Sequence, residues 1–404
     1  MNAIENERKI LWQQVVGLAA MLAAIVFAWT IYEFYQPQIL RNMGFVELAT
    51  WLGVVQGVLV AGVEPVVGGM SDRIMRSFGS RLPIIAVGVT IAGSIFLIVS
   101  WLLDGHLPDG MRWLVPILMT AWVIAMIIFR GPAIAILQQL APTKFLPQAN
   151  SLLVFVFALV GACHPVINSL LKNSGAGKAF IFGAVGLLIG ATWLWRSSPK
   201  YLSPSPQAAS QMLSEARTST RSMFLAFLIG MGAATEVNLM MAVVPRVLSQ
   251  TSSLNLSGEY TASAILLIAA IATFPLGQLI VKIGERKGMV IGLCAVSVAI
   301  AMSFLRQTAF GSNLIFELFH IFLAGVAFGL VFTSMIPFAL AMLANGNEGL
   351  ATGLYFGGGG LATALLNGFA LYFGSQLDRI EVGVGIAIAL VALPITLVCI
   401  RLNR

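Results

Sequence analysis

Residues 82–103 read LPIIAVGVTIAGSIFLIVSWLL, 22 consecutive positions without a charged side chain. A helix rises about 1.5 Å per residue and the hydrocarbon core of a bilayer is about 30 Å thick, so a run of this length reads as a membrane span. Eleven further windows of the same character lie on either side. The twelve have approximate limits 11–37, 47–70, 82–103, 112–140, 146–171, 177–196, 222–248, 260–281, 289–305, 312–343, 349–375 and 382–400. The first is longer than the roughly 7–15 residues of a signal-peptide core, so it is read as a span that is kept. Composition agrees: 58% of the 404 residues are hydrophobic and 10% charged, against about a quarter charged in soluble chains. A water-soluble globular protein is excluded.

The formal charge of +7 comes from short basic clusters between the apolar runs. That pattern is a topology signal and not a nucleic-acid surface. With the N-terminus in the cytoplasm, Arg8, Lys9, Arg73, Arg76, Arg81, Lys144, Arg196, Lys200, Arg217, Arg221, Lys282, Arg286, Lys287, Arg401 and Arg404 fall on the cytoplasmic side. Arg41, Arg112, Lys172, Lys178, Arg246, Arg306 and Arg379 fall on the other. The positive-inside rule therefore predicts both termini in the cytoplasm. Cys163, Cys294 and Cys399 all lie inside apolar runs, which argues against a disulfide framework or a paired-cysteine metal site.

The longest polar stretch, 197–221, is rich in Ser, Pro and Gln and divides the chain into 1–196, a linker, and 222–404, six spans on each side. An internal repeat supports the division. Gly68 precedes Asp72-Arg73 by the interval at which Gly277 precedes Val281-Lys282, and repeated helical bundles are how many secondary transporters are built.

Between the second and third spans the chain reads Gly68-Gly-Met-Ser-Asp72-Arg73, then Arg76, Gly79 and Arg81. The matching place in the second half reads Gly277 to Lys287, with Gly284-Glu285-Arg286-Lys287. These paired segments resemble those of the major facilitator superfamily. The stretch from Pro65 to Asp72-Arg73 with Phe78-Gly-Ser-Arg81-Leu-Pro83, together with Gly131-Pro132 and Ala149-Asn150-Ser151, is similar to that superfamily's sucrose and glycoside (glycoside-pentoside-hexuronide-like) cation symporter branch. Ile134 and Gln139 stand where that branch has an arginine and an acidic residue. The resemblance implies an all-α membrane protein of 12 transmembrane helices in two six-helix bundles. It also implies a cavity lined by the first, fourth, fifth, seventh, tenth and eleventh helices, and a cytoplasmic gate at Gly68, Asp72, Arg73, Arg81, Gly277 and Arg286.

An ionisable residue inside a span is costly enough to be read as functional by default. In the first span Trp29, Tyr32, Glu33 and Gln36 recur at i, i+3, i+4 and i+7, giving one face suited to a hydroxylated or cationic ligand, or an aromatic belt at the membrane interface. Arg130 sits inside the fourth span. Its expected partner is Glu33 or Glu236, with an anionic substrate group as the alternative. In the fifth span Asn150, Val154, Phe157, Gly161, His164 and Asn168 form a stripe, and His164 is a candidate proton carrier or a structurally satisfied histidine. Glu236, close to Asn238, is the second half's candidate for coupling or substrate contact, against a structural bond to another helix. Tyr355 and Asn367 in the eleventh span complete the candidate substrate face. Glycines four apart from Gly349 to Gly357, then Gly358, Gly359 and Gly360, predict close packing or a hinge. Glu317 and His320 are placed in a wet outer vestibule, since no second Glu-x-x-His pair exists to complete a metal site. Glu64, near the end of its window, is assigned to packing or the gate.

Ser174 to Ala179 lacks the first glycine and the Ser/Thr of a phosphate loop. The expected energy source is therefore an ion gradient, with H⁺ as coupling ion, and no catalytic, cofactor or metal role is assigned. The expectation is a monomeric secondary transporter of a small polar organic solute, a sugar or glycoside favoured, in the lipid of a bacterial inner membrane. An efflux pump for amphipathic compounds and a pigment- or lipid-handling factor of the bacteriochlorophyll-delivery type are the alternatives.

Overall fold

The computed structural model describes residues 9–106, 109–198, 219–251, 256–306, 313–343, 346–373 and 381–402. Most of the expected linker (199–218) and the basic residues Arg8, Lys200, Arg217, Arg379 and Arg404 lie outside the described residues. All regular structure among the described residues is helical. Twelve helices are long and apolar enough to cross a membrane: α1 (Trp12–Asn42), α2 (Val46–Phe78), α3 (Leu82–Gly105), α4 (Leu114–Leu140), α5 (Thr143–Ala162), α6 (Ala176–Ser197), α7 (Thr220–Thr251), α8 (Gly258–Ile283), α9 (Glu285–Leu305), α10 (Leu314–Leu340), α11 (Glu348–Tyr372) and α12 (Val382–Leu402).

Two elements depart from the sequence reading. The fifth crossing is broken: α5 gives way at Cys163 to a separate helix, His164–Ser174. Pro165 lacks the N–H that would bond the Gly161 carbonyl, and its ring crowds that carbonyl. In the second crossing, Asp72 and Arg73 are not in a loop but in the last turns of α2. That helix runs on to Phe78 and is stopped by Gly79 in the left-handed conformation, φ 68°.

Buried apolar side chains separate into two main cores. One is drawn almost wholly from Val15 to Leu194, the other almost wholly from Leu225 to Ile400. The helix pairings repeat six helices later. α1 packs on α5 and α6 as α7 does on α11 and α12, α3 on α4 and α6 as α9 on α10 and α12, and α2 on α4 as α8 on α10. Each core is thus a six-helix bundle of the same internal plan. Large apolar side chains such as Ile91, Leu188, Ile291, Phe319 and Leu390 are exposed on the outer faces. A belt of this kind would drive aggregation in water and is matched to lipid.

The halves meet along two seams, α2 against α11 and α5 against α8. The first is a backbone contact. A Cβ on Gly68 would lie 2.1 Å from the Gly349 carbonyl oxygen, one on Gly353 2.4 Å from the Glu64 carbonyl oxygen, and one on Gly57 2.6 Å from the Gly360 carbonyl oxygen. Gly358 faces the other way, onto the backbone of Phe227 in α7. The glycine run of α11 therefore lets one helix lie tightly between two neighbours.

Gly230 in α7 is equally tight, with a hypothetical Cβ 2.0 Å from the Tyr355 carbonyl oxygen, whereas Gly93 in α3 has open space. Gly230→Ala is expected to lower the melting temperature through overpacking of about 1–3 kcal/mol. Gly93→Ala should cause no loss. Thermal melts in detergent check the pair, and equal behaviour would refute the packing described here.

Candidate functional site

The first half holds an aromatic cluster. Tyr32 and Trp122 stack with centroids 4.4 Å apart, Trp29 meets Trp122 edge-on at 5.2 Å, and Phe96 stacks on the far face of Trp122 at 4.5 Å. The Tyr32 hydroxyl donates to the Met119 carbonyl at 3.3 Å. Tyr32 and Trp122 are buried, so they form a wall more than an open stacking platform. Both indole N–H groups, of Trp29 and Trp122, are buried without an acceptor. Gln36 is buried and accepts from the Gln56 amide of α2 at 3.2 Å. Glu33 is exposed and makes no ion pair among the described residues.

Two turns along α2 from Gln56, Glu64 is buried and its carboxylate accepts from Nη2 of Arg130. Arg130 is therefore paired with Glu64, and neither Glu33 nor Glu236 is its partner. The local sequence makes room for this pair. Gly131 has no side chain where a Cβ would stand 3.0 Å from Oε2 of Glu64. The guanidinium also lies 5.7 Å from the ring centroid of Phe356 in α11, so it touches both halves. Cation–ring attraction of this kind strengthens where water is excluded.

At the end of α2 the halves are latched. Asp72 accepts from Arg81 at 2.7 Å and from the backbone N–H groups of Gly349 and Leu350, each at 2.8 Å. Those N–H groups open α11, whose own N-cap residue Asn347 supplies no side-chain cap. Asp72 thus caps a helix of the other half, where a carboxylate also meets the positive end of the helix dipole. Arg81, buried with Asp72, reaches Glu348 at 3.0 Å. Arg76 donates to the Gly346 carbonyl at 3.3 Å, while Arg73 is exposed.

The matching place in the second half has Val281 for Asp72, and Gly277 rests against Ser151 and the Pro147 carbonyl of α5. No carboxylate is required there for one orphan donor, because Pro147 in the first turn of α5 has no N–H. Arg286 lies at the start of α9, half-buried.

The polar stripe of the fifth crossing faces the other half. Asn150 donates to the Phe332 and Thr333 carbonyls of α10, both at 3.0 Å. Phe157 stacks with Phe332 at 5.2 Å. Past the break, Asn168 donates to Glu259 of α8 at 3.1 Å and lies 3.5 Å from Nδ1 of His164.

In the second half, Asn238 donates to Thr363 at 3.4 Å, and Asn367 donates to the Thr363 carbonyl at 2.9 Å and fills the space beside Gly53. Tyr355 is buried where α11 meets α7. Glu236 is fully buried and accepts from Ser297 of α9 at 2.8 Å, inside the second bundle. Glu317 and His320 lie in no wet vestibule. Glu317 pairs with Arg306 at 3.0 Å with both side chains fully buried, and His320 Nε2 lies 2.7 Å from the Ala299 carbonyl oxygen. Arg306 also donates to the hydroxyl and carbonyl of Thr251, so it ties together the ends of α7, α9 and α10.

The arrangement of two six-helix bundles of the same plan is shared with solved structures of membrane transporters. The crystal structure of the human organic anion transporter MFSD10 (TETRAN) matches over 96% of this chain and 100% of its own, with TM-score 0.69 and 15% identity. The E. coli fucose:proton symporter FucP matches over 96% and 98%, with TM-score 0.64 and 12% identity. FucP in an outward conformation matches over 97% and 99%, with TM-score 0.59 and 11% identity. No protein-family model matches the sequence, and no curated protein sequence matches it.

Proposed function

We propose that this chain is a secondary active transporter that carries a small polar organic solute across a membrane by alternating access, driven by protons. The reading rests above all on the Asp72–Arg81–Glu348 latch. It spans the two halves at one end of the α2–α11 seam and is made of groups that can be rehydrated and remade as the seam opens. A purely structural joint would be served equally well by apolar packing.

In this reading the division is 1–196, a linker of 197–221, and 222–404. Both termini and the latch lie in the cytoplasm of a bacterium, as the distribution of Lys and Arg suggests. The Asn168–Glu259 contact holds the other seam, and the buried Asn150 ties α5 to α10. A sugar or glycoside is the solute favoured by the α2–α3 segment and by the likeness to a fucose:proton symporter, while the likeness to an organic anion transporter supports a charged solute.

The test is uptake of labelled sugars, organic anions and organic cations into proteoliposomes with and without an imposed pH gradient. Gradient-stimulated accumulation of at least one solute is expected. No flux of any solute under either condition would sink the transporter reading in favour of a pigment- or lipid-handling role.

A further inference from the structure

Arg130 is the one charged residue of α4, and its hydrogen bonding is incomplete. A guanidinium has five N–H donors in a fork shaped for two carboxylate oxygens. Here Nη2 alone is engaged, by a single oxygen of Glu64. Nε is buried without an acceptor. The side chain is 23% exposed against 1% for Glu64, and Nη1 makes no hydrogen bond among the described residues. Two turns away along α4, the Trp122 indole N–H is also buried without an acceptor, as is that of Trp29 beside it. Three buried N–H donors on α1 and α4, of Trp29, Trp122 and Arg130, thus stand without an acceptor.

The geometry points to a small organic carboxylate as the solute, bound by Arg130 in exchange for Glu64, with Glu64 taking up the coupling proton as the salt bridge opens. The inference rests on the transporter reading and names the chemistry of its site. A second carboxylate on Arg130 raises the proton affinity of Glu64, because two like charges on one guanidinium repel. The proton comes from hydronium or a buffer acid of the bulk solution, goes to a Glu64 oxygen, and leaves Arg130 with the arriving carboxylate as its counter-ion. Binding of the anion and of the proton therefore favour each other, a coupled symport of one each.

The other titratable groups on the packed elements are few. They are Tyr32, Glu33, Tyr35 and Arg41 on α1 and Glu348, Tyr355 and Tyr372 on α11. On α2 itself, nothing charged lies between Glu47 and Asp72 except Glu64. The exchange also reaches the latch. The Glu64 carbonyl is packed against Gly353 of α11, the Phe356 ring of α11 lies beside Arg130, and Asp72 caps α11 two turns further along α2.

The experiment is calorimetric titration of the full-length protein in lipid nanodiscs with three matched pairs: lactate and lactamide, benzoate and benzamide, gluconate and glucose. Each titration is run in two buffers of different ionisation enthalpy so that protons are counted, and each pair is also followed for uptake into proteoliposomes. At least one acid should bind at least tenfold tighter than its neutral partner, with one proton taken up and an apparent Kd rising about tenfold per pH unit above the carboxyl's titration range. Glu64→Gln should bind the same acid with no proton uptake and a flat pH profile, keeping anion exchange while losing gradient-driven accumulation. Arg130→Lys should weaken it at least tenfold while still eluting as a folded monodisperse species.

Neutral partners that bind as well as the acids would overturn the proposal. So would a proton count that persists in Glu64→Gln and vanishes in Glu33→Gln. If no member of the panel binds or crosses but other solutes do, this inference falls alone. If nothing crosses at all, the transporter reading falls with it.

Discussion

Asp72→Asn is expected to open the latch. The substitution keeps the shape of the side chain, yet it removes the charge that faces Arg81 and weakens the cap on Gly349 and Leu350. Breaking a buried ion pair by removing one partner costs about 3–5 kcal/mol. The lower end applies here because Glu348 still holds Arg81. At about 1.4 kcal/mol per decade, the latched state should lose roughly 10²-fold in population. The readout is a cysteine placed at Ser71, which is fully buried beside the latch, in a background where Cys163, Cys294 and Cys399 are alanine. A membrane-impermeant maleimide should label it roughly 10²-fold faster in the Asp72→Asn protein by the same arithmetic. Arg73→Gln, at an exposed position on the same turn, should change the rate little. Equal rates for the two variants would show that Asp72 does not hold the seam.

Arg306→Met is expected to damage stability by breaking a buried ion pair. Arg306 and Glu317 are both fully buried, and Arg306 also carries the hydroxyl and carbonyl of Thr251. Removing it takes the guanidinium away from a carboxylate that stays buried inside the second bundle, at a cost of about 3–5 kcal/mol. The double variant Arg306→Met/Glu317→Leu should recover most of that loss, since an apolar pair of similar volume needs no desolvated charge. The measurement is the inactivation half-life on heating, suited to a membrane protein that unfolds irreversibly. A single variant as durable as the parent, or a double variant no better than the single, would contradict the burial described for this pair.

The spans and the two-bundle plan were legible because each depends on a property of one stretch of chain: length, apolarity and the recurrence of a glycine–charge pattern. The contact between Asp72 and Arg81 was legible for the same reason, as the two are close in sequence. What they grip was not, since Gly349 and Leu350 are offered by a helix of the other half. Pairings between helices depend on rotation and register that periodicity within one helix does not supply. Arg130 was therefore assigned the wrong carboxylates. By apolarity Glu64 lies near the end of a window closing at 70, but α2 runs to Phe78 and makes Glu64 an interior residue, subject to the same cost as Arg130. The acceptor-poor indole of Trp122 looked like any other apolar position. Arg306 looks like a loop charge because it follows α9, and the approach of α7 and α10 buries it.

The most direct test of the account follows both ends of the molecule at once. Spin labels at Arg73 and Lys287 report the latched end, where α2 and α9 belong to different halves, and labels at Asn42 and Gln250 report the opposite ends of α1 and α7. All four positions are exposed. Pulsed dipolar distances in nanodiscs should show two populations at each end that change reciprocally when Asp72→Asn is introduced, the latched end widening as the other narrows. Distances that stay fixed at both ends, or widen at both together, would contradict alternating access.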